Sequence, residues 1–209
     1  DLSFGDAGSV QYDFDTFIDV TDMSLQSDGK IIVLTNVTVQ LSSEIVLVRF
    51  NADGSIDNSF GLNGEAVVQF GGWEPVGNAI IIQPDGKILI AGSYYDEISY
   101  TDNFIVARLL EDGTHDNSFG FNGIATTDFD NGFHDHINAM VLQPDGKIIC
   151  AGTTAYYNNG YDGIGLVRYN SDGALDSSFG MMGIVTTDFP STIVIPNSMI
   201  LLPDNKIII

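Results

Sequence analysis

Gln83-Pro84-Asp85-Gly86-Lys87-Ile88-Leu89-Ile90-Ala91-Gly92 reads as a tight turn running into a strand. Pro84 presets φ at the first corner, and Gly86 accepts a positive φ without steric cost. Ile88, Leu89 and Ile90 then make a short apolar run, closed by Gly92. The stretch returns as QPDGKIICAG at 143–152. Related turns stand at Asp28-Gly29-Lys30, preceded by Ser27, and at Asp204-Asn205-Lys206, preceded by Pro203. Ser27 and Asn205 depart from the pattern and weaken the turn motif in the first and last units. The turn Asp therefore recurs after 57, 60 and 59 residues.

Two more markers keep the same phase. Ser-Phe-Gly occurs at 3–5, 59–61, 118–120 and 178–180, at spacings of 56, 59 and 60. An Arg followed by three residues and Asp-Gly starts at Arg49, Arg108 and Arg168. Three markers in phase specify a tandem repeat of about sixty residues. The unit beginning near residue 77 reads as four strands of about five residues, at 79–83, 87–91, 104–109 and 124–129, each bounded by turn formers. No segment keeps a helical period over three turns. Four short strands per repeated unit predict an all-β fold, a β-propeller of four-stranded antiparallel blades.

With strands A to D named from the channel outward, complete blades are expected at 19–70, 77–129 and 137–189. Residues 1–14 are expected to supply the outer D strand of a preceding blade, and 197–209 the A and B strands of a further one whose C strand is missing. On this reading the chain is one tandem-repeat region of a longer array. Its open blade edges would attract other protein chains or copies of itself.

Composition removes several function classes. The net charge is −21, from 28 acidic and 7 basic residues. A surface so acidic repels nucleic acid and anionic lipid heads. No apolar run reaches the length of a membrane span, so no membrane insertion is expected. Hydrophobic residues make up 44% of the chain, enough for a real core. Cys150 is the single cysteine and lies in an apolar B strand, where an inert buried thiol is expected.

All seven basic residues, Lys30, Arg49, Lys87, Arg108, Lys147, Arg168 and Lys206, fall on repeat positions. None is left over for phosphate binding or Schiff-base chemistry. Each Arg is expected to pair with an Asp of its own unit: Asp57, Asp116 or Asp176. With Phe60, Phe119 and Phe179 these are the structural repeat residues. No Gly-x-Ser-x-Gly elbow or nucleophile–base pair is visible, so no catalytic residue and no cofactor are assigned.

Three other groups remain candidates. The turns at 51–57 and 170–176 set Asn and Asp oxygens around Gly, as calcium loops do, though Leu110 interrupts the middle copy. The alternative is an Asx turn that caps its own backbone. His134, Asp135 and His136 form a private feature of one blade; two imidazoles two residues apart on an extended segment share a side and suit a transition metal. The alternative is solvated loop histidines. The D–A and B–C connections share one blade end, and they carry Trp73, Tyr94, Tyr95, Tyr100, Tyr156, Tyr157 and Tyr161. Tyr with Asn and Asp suits sugar stacking or protein contact. The alternative is loop tyrosines covering strand ends.

These motifs give the chain a family resemblance. QPDGKILIAG at 83–92, QPDGKIICAG at 143–152, IDNSFGLNG at 56–64 and LDSSFGMMG at 175–183 resemble the bacterial delta-60 repeat family, over essentially the whole chain. The resemblance implies β-propeller repeats in large secreted or surface proteins. That placement also draws on the acidity and on the missing initiator Met. The function expected is a non-catalytic extracellular or cell-surface module, a scaffold or a binding and assembly platform, within a polymer in one form. The alternatives are a metal-assisted hydrolase or lactonase using His134 and His136 with Asp19 and Glu74, and an adhesin whose aromatic face takes polysaccharide.

Overall fold

The computed structural model describes residues 1–14, 16–39, 42–70, 73–129, 135–155, 162–189 and 194–209. They form three four-stranded antiparallel sheets, each a simple meander, and one two-stranded sheet. The first blade is β1 (Phe17–Leu25), β2 (Ile31–Val39), β3 (Ser42–Phe50) and β4 (Glu65–Val68). The second is β5 (Trp73–Ile82), β6 (Ile88–Asp96), β7 (Thr101–Leu109) and β8 (Ile124–Thr127). The third is β9 (Asp135–Leu142), β10 (Ile148–Ala155), β11 (Asp162–Tyr169) and β12 (Ile184–Asp188). A half blade follows, β13 (Ile200–Leu201) with β14 (Ile207–Ile208).

Local chemistry sets the hairpins. In the β5–β6 turn Gln83 N donates to Lys87 O at 2.8 Å, and Gly86 sits at φ +85°. Asp85 Oδ1 accepts from Lys87 N, which fixes the corner. The last copy keeps the same turn, with Leu202 N donating to Lys206 O at 2.8 Å. Asn205 takes Gly's place there at φ +62°, a conformation Asn tolerates better than most residues.

Two expectations need correction. The inner three strands of each blade run 8–10 residues, not five. Ser, Thr, Asn and Tyr residues that read as loop carry on the ladder, as in Asp96↔Thr101 and Ala155↔Asp162. A strand needs only a partner for its backbone, so polar residues near an exposed blade end extend it. Residues 1–14 form no strand; their one bridge is Asp6↔Ser9. The outer strand of a blade is held by its C strand, as β4 is by β3, and no described strand pairs its backbone with residues 1–14. Tyr12 and Phe14 instead pack on Val46 and Val48 of β3.

The core lies between blades. Ile32, Leu34, Ile45, Leu47 and Phe60 of the first blade pack on Ile80, Ile88, Ile90 and Leu109 of the second. Leu89, Phe104, Val106 and Phe119 of the second pack on Ile137, Cys150, Val167 and Tyr169 of the third. Met199 and Ile207 of the half blade lie on Ile149 and Ala151. Each sheet is therefore apolar on both faces, which is why its strands read as near-continuous hydrophobic runs.

Candidate functional site: a clamp between repeats

The repeat residues converge at the end of each blade where the A–B and C–D turns lie. β2 and β3 place Ile32 opposite Arg49, and the Asp53-Gly54 turn brings the chain back so that Asp57 N donates to Arg49 O. Arg49 Nε donates to Asp57 Oδ2 at 2.7 Å, and Nη2 reaches Ser59 Oγ at 3.4 Å. Lys30 Nζ lies 3.2 Å from the same Asp57 Oδ2. Asp57 Oδ1 accepts from Ser59 N at 3.1 Å and from Ser59 Oγ at 2.6 Å. The guanidinium stacks on Phe60, 4.5 Å from the ring centre, a cation–π contact.

The second unit repeats the set. Arg108 Nε donates to Asp116 Oδ2 at 2.8 Å, Lys87 stands 3.2 Å from that oxygen, and Phe119 lies 4.7 Å under the guanidinium. In the third, Arg168 Nε donates to Asp176 Oδ2 at 2.7 Å, Lys147 bonds the same oxygen at 2.8 Å, and Phe179 lies at 4.6 Å. Burial pushes the Asp57 and Asp116 carboxyls up. Hydrogen bonds from the following Ser and from Lys, with the Arg charge, outweigh it and hold both well below the carboxylate range. At Asp176 the Lys147 hydrogen bond leads the same lowering.

The cluster also grips the next blade. Arg49 Nη1 donates to Glu111 O at 2.6 Å, and Arg108 Nη1 to Ser171 O at 2.5 Å. Beside each, the Gly of Ser-Phe-Gly donates one residue further along the same turn: Gly61 N to Asp112 O at 2.9 Å and Gly120 N to Asp172 O at 2.7 Å. Gly5 N meets Asp53 O in the same way at 2.7 Å. Only glycine fits here. A Cβ on Gly120, at φ +52°, would lie 2.0 Å from Ile124 O. Sequence reasoning named Phe60, Phe119 and Phe179 as repeat residues but missed their stacking on Arg, the Lys partner and the carbonyl acceptors in the next blade.

The other candidates fall elsewhere. In the turn at 51–57, Asp53 Oδ1 accepts from Ser55 N and Oγ, and Asn51 Nδ2 donates to Ser55 Oγ and Ile56 O. These oxygens serve an Asx turn. At 170–176, Asp172 Oδ1 likewise accepts from Ala174 N. Among the described residues no three His, Cys, Asp or Glu side chains gather at metal-binding distance.

His134 lies outside the described residues. His136 on β9 meets Ser93 Oγ through Nδ1 at 2.8 Å, and its Nε2 lies 3.7 Å from Asp102 Oδ2. Ser93 is 2% exposed. Asp135 is buried, and one of its oxygens accepts from Phe129 N. Burial pushes the Cys150 thiol far up, away from the nucleophilic thiolate.

Tyr156, Tyr157 and Tyr161 lie outside the described residues. Tyr94 and Tyr95 were expected in a loop but belong to β6, opposite Asn103 and Asp102. A tight turn makes the hairpin possible: Asp96 Oδ1 accepts from Ile98 N, and Tyr100 turns the chain at φ +59°. Tyr94 lines an apolar notch of about 200 Å³ with Ile105, Phe121 and Ile124. Trp73 pairs across the sheet with Tyr95, and Trp73 and Tyr100 are both exposed near that end of the blade.

Four-stranded meanders packed face to face, each locked to the next by one repeated clamp, define a tandem-repeat β-propeller protein. The DUF5122 beta-propeller family, a domain of unknown function, matches residues 26–60, 83–119 and 143–179, together just over half of the chain. The chain belongs to that family. Each matched stretch runs from the A–B turn to the Ser-Phe pair of one unit, and so holds that unit's Lys, Arg, Asp, Ser and Phe. Searches of curated proteins and of solved structures returned no match.

Proposed function

We propose that the chain is a non-catalytic scaffold, a propeller segment whose open blade faces serve as an assembly platform at the cell surface or outside the cell. One observation carries the reading: the repeat clamps take up six of the chain's seven Lys and Arg side chains. Arg49, Arg108 and Arg168, with Lys30, Lys87 and Lys147, all face Asp57, Asp116 or Asp176. A site that binds an anionic substrate or stabilises an oxyanion would draw on the same groups. The signature's resemblance to delta-60 repeats, and the surface charge, support the extracellular placement.

The first blade offers the surface for assembly. Ile18, Val20, Met23 and Leu25 of β1 are exposed on the face that in the other blades meets a neighbour. Sedimentation velocity tests the reading. Concentration-dependent association that Met23→Glu with Leu25→Glu abolishes is expected. A monomer at every concentration contradicts it.

A second reading, polysaccharide binding, is favoured by the exposed Trp73 and Tyr100 near Tyr95. Rigid aromatic faces beside hydrogen-bonding groups suit sugar rings. A glycan array with wild type and Trp73→Ala decides it; binding indifferent to that change discards the aromatic face.

A further inference from the structure

We propose that the polysaccharide taken by the aromatic face is one whose sugars carry free amino groups, held as ammonium against Trp73, Tyr95 and Asp102. The proposal rests on the polysaccharide reading above and names the chemistry of its ligand.

Three strands of the second blade set these groups in a row. Trp73 of β5 stands opposite Tyr95 of β6, and Tyr95 stands opposite Asp102 of β7. Residues directly opposite in a sheet share a face, with Cβ atoms about 5 Å apart. Trp73 is 59% exposed, and the Asp102 side chain keeps 20% of its surface. His136 of the third blade reaches the same row. Its Nε2 lies 3.7 Å from Asp102 Oδ2, and its Nδ1 meets Ser93 Oγ at 2.8 Å. The gap between Asp102 and His136 is longer than a hydrogen bond, and a sugar amine or hydroxyl set between them would bond both.

The row is no part of the repeat. The pair matching Tyr95↔Asp102 is Thr38↔Ser43 in the first blade and Ala155↔Asp162 in the third. Neither couples an aromatic ring to a carboxylate, and both blades form the same four-stranded sheet without it. The packing of blades therefore does not require Tyr95 and Asp102 together.

Charge selects the ligand. Every Lys sits in an A–B turn and every Arg one residue before the end of a C strand, at the opposite end of the blades. Asp102 is six residues along the chain from Arg108, and Tyr95 eight from Lys87. At the rise of a strand those separations are roughly 20 and 26 Å. Both exceed the Debye length of about 8 Å at physiological salt, so the clamp cations do not offset this end. Glu74, Asp96 and Glu97 add carboxylates around it. A neutral sugar gains only the ring faces here. An ammonium gains the Asp102 carboxylate as well, and the faces of Trp and Tyr attract it as a cation. A uronate or a sulfated sugar is repelled.

Trp73 is the chain's single tryptophan, so its fluorescence reports on this row directly. The whole chain is titrated with a glucosamine oligosaccharide and with its N-acetylated counterpart of the same length, below the pKa of the amine. The amino oligosaccharide should give a saturable change at roughly tenfold lower concentration. Asp102→Asn should weaken it about fivefold and leave the acetylated one unchanged; a circular-dichroism melt checks that the variant is folded. Glu111→Gln removes one charge at the opposite end and should change nothing. Equal half-saturation by the two oligosaccharides, equal weakening by Glu111→Gln, or spermidine acting as well as the amino sugar overturns the amino-sugar ligand. If neutral glycans then still bind on the array through Trp73, the polysaccharide reading stands without it; no response to any sugar in either assay overturns both.

Discussion

Replacing Arg108 by Met separates a clamp that holds two blades from one that only decorates a surface. Arg108 is 5% exposed. The change removes bonds to Asp116 Oδ2, Ser118 Oγ and Ser171 O and the stacking on Phe119. It leaves Asp116 buried, still held by Lys87 and by Ser118 N and Oγ. Breaking a buried pair by deleting one partner costs about 3–5 kcal/mol, and the remaining partners of Asp116 place this case near about 3 kcal/mol. For a chain of this length that is a fall in Tm of about 6–12 °C. Arg168→Met is the internal control, with the same pair and ring but no acceptor from a following blade among the described residues. Its cost should be about 1 kcal/mol, or about 2–4 °C. Thermal unfolding by circular dichroism, with urea midpoints as a second probe, measures both. Equal losses, or a smaller loss for Arg108→Met, refute the interblade role.

Gly120→Ala should destabilise by more than about 2 kcal/mol, whereas Gly86→Ala, at φ +85° with its nearest foreign atom 3.6 Å away, should cost about 1 kcal/mol; urea midpoints rank them. The Asp116 carboxyl is depressed in the fold, so its stabilisation is full above about pH 4 and drains away as pH falls below that; Asp116→Asn should flatten this acid limb in pH-resolved melts. His115 is the converse in charge and the same in direction, since burial lowers its imidazole. Its neutral form is favoured, stability is lost as pH falls below about 6.5, and His115→Leu should remove that step in the same melts. Cys150 should resist a thiol reagent in the native chain and react on unfolding, as a mass-spectrometric time course would show.

What the sequence made legible was local. Asp-Gly-Lys, Ser-Phe-Gly and Arg-x-x-x-Asp-Gly are turn and pair motifs, and each depends on residues a few positions apart. Four strands per unit and three whole blades followed from them. Arg49 and Asp57 lie eight residues apart, within reach of such reasoning. The acceptors of Arg49 Nη1 and Gly61 N are main-chain carbonyls of Glu111 and Asp112, and a carbonyl leaves no mark in the sequence. The phase of the repeat was the available signal: Ser-Phe-Gly of one unit and Asp-Gly of the next recur together. Strand ends were illegible for another reason. Tyr94, Tyr95, Thr101 and Asn103 look like loop by polarity, yet a tight hairpin lets them keep pairing. The Ser93–His136 contact spans 43 positions and occurs in one blade only, so no repeat announced it.

The central claim is that each Ser-Phe-Gly loop bonds the following blade, and native-state hydrogen exchange of three amides tests it most directly. Gly61 and Gly120, bonded to Asp112 O and Asp172 O, should exchange slowly, in step with their strands. Gly180, with no such acceptor among the described residues, should exchange faster by orders of magnitude. Equal rates at all three glycines, or protection at Gly180 alone, would contradict the account.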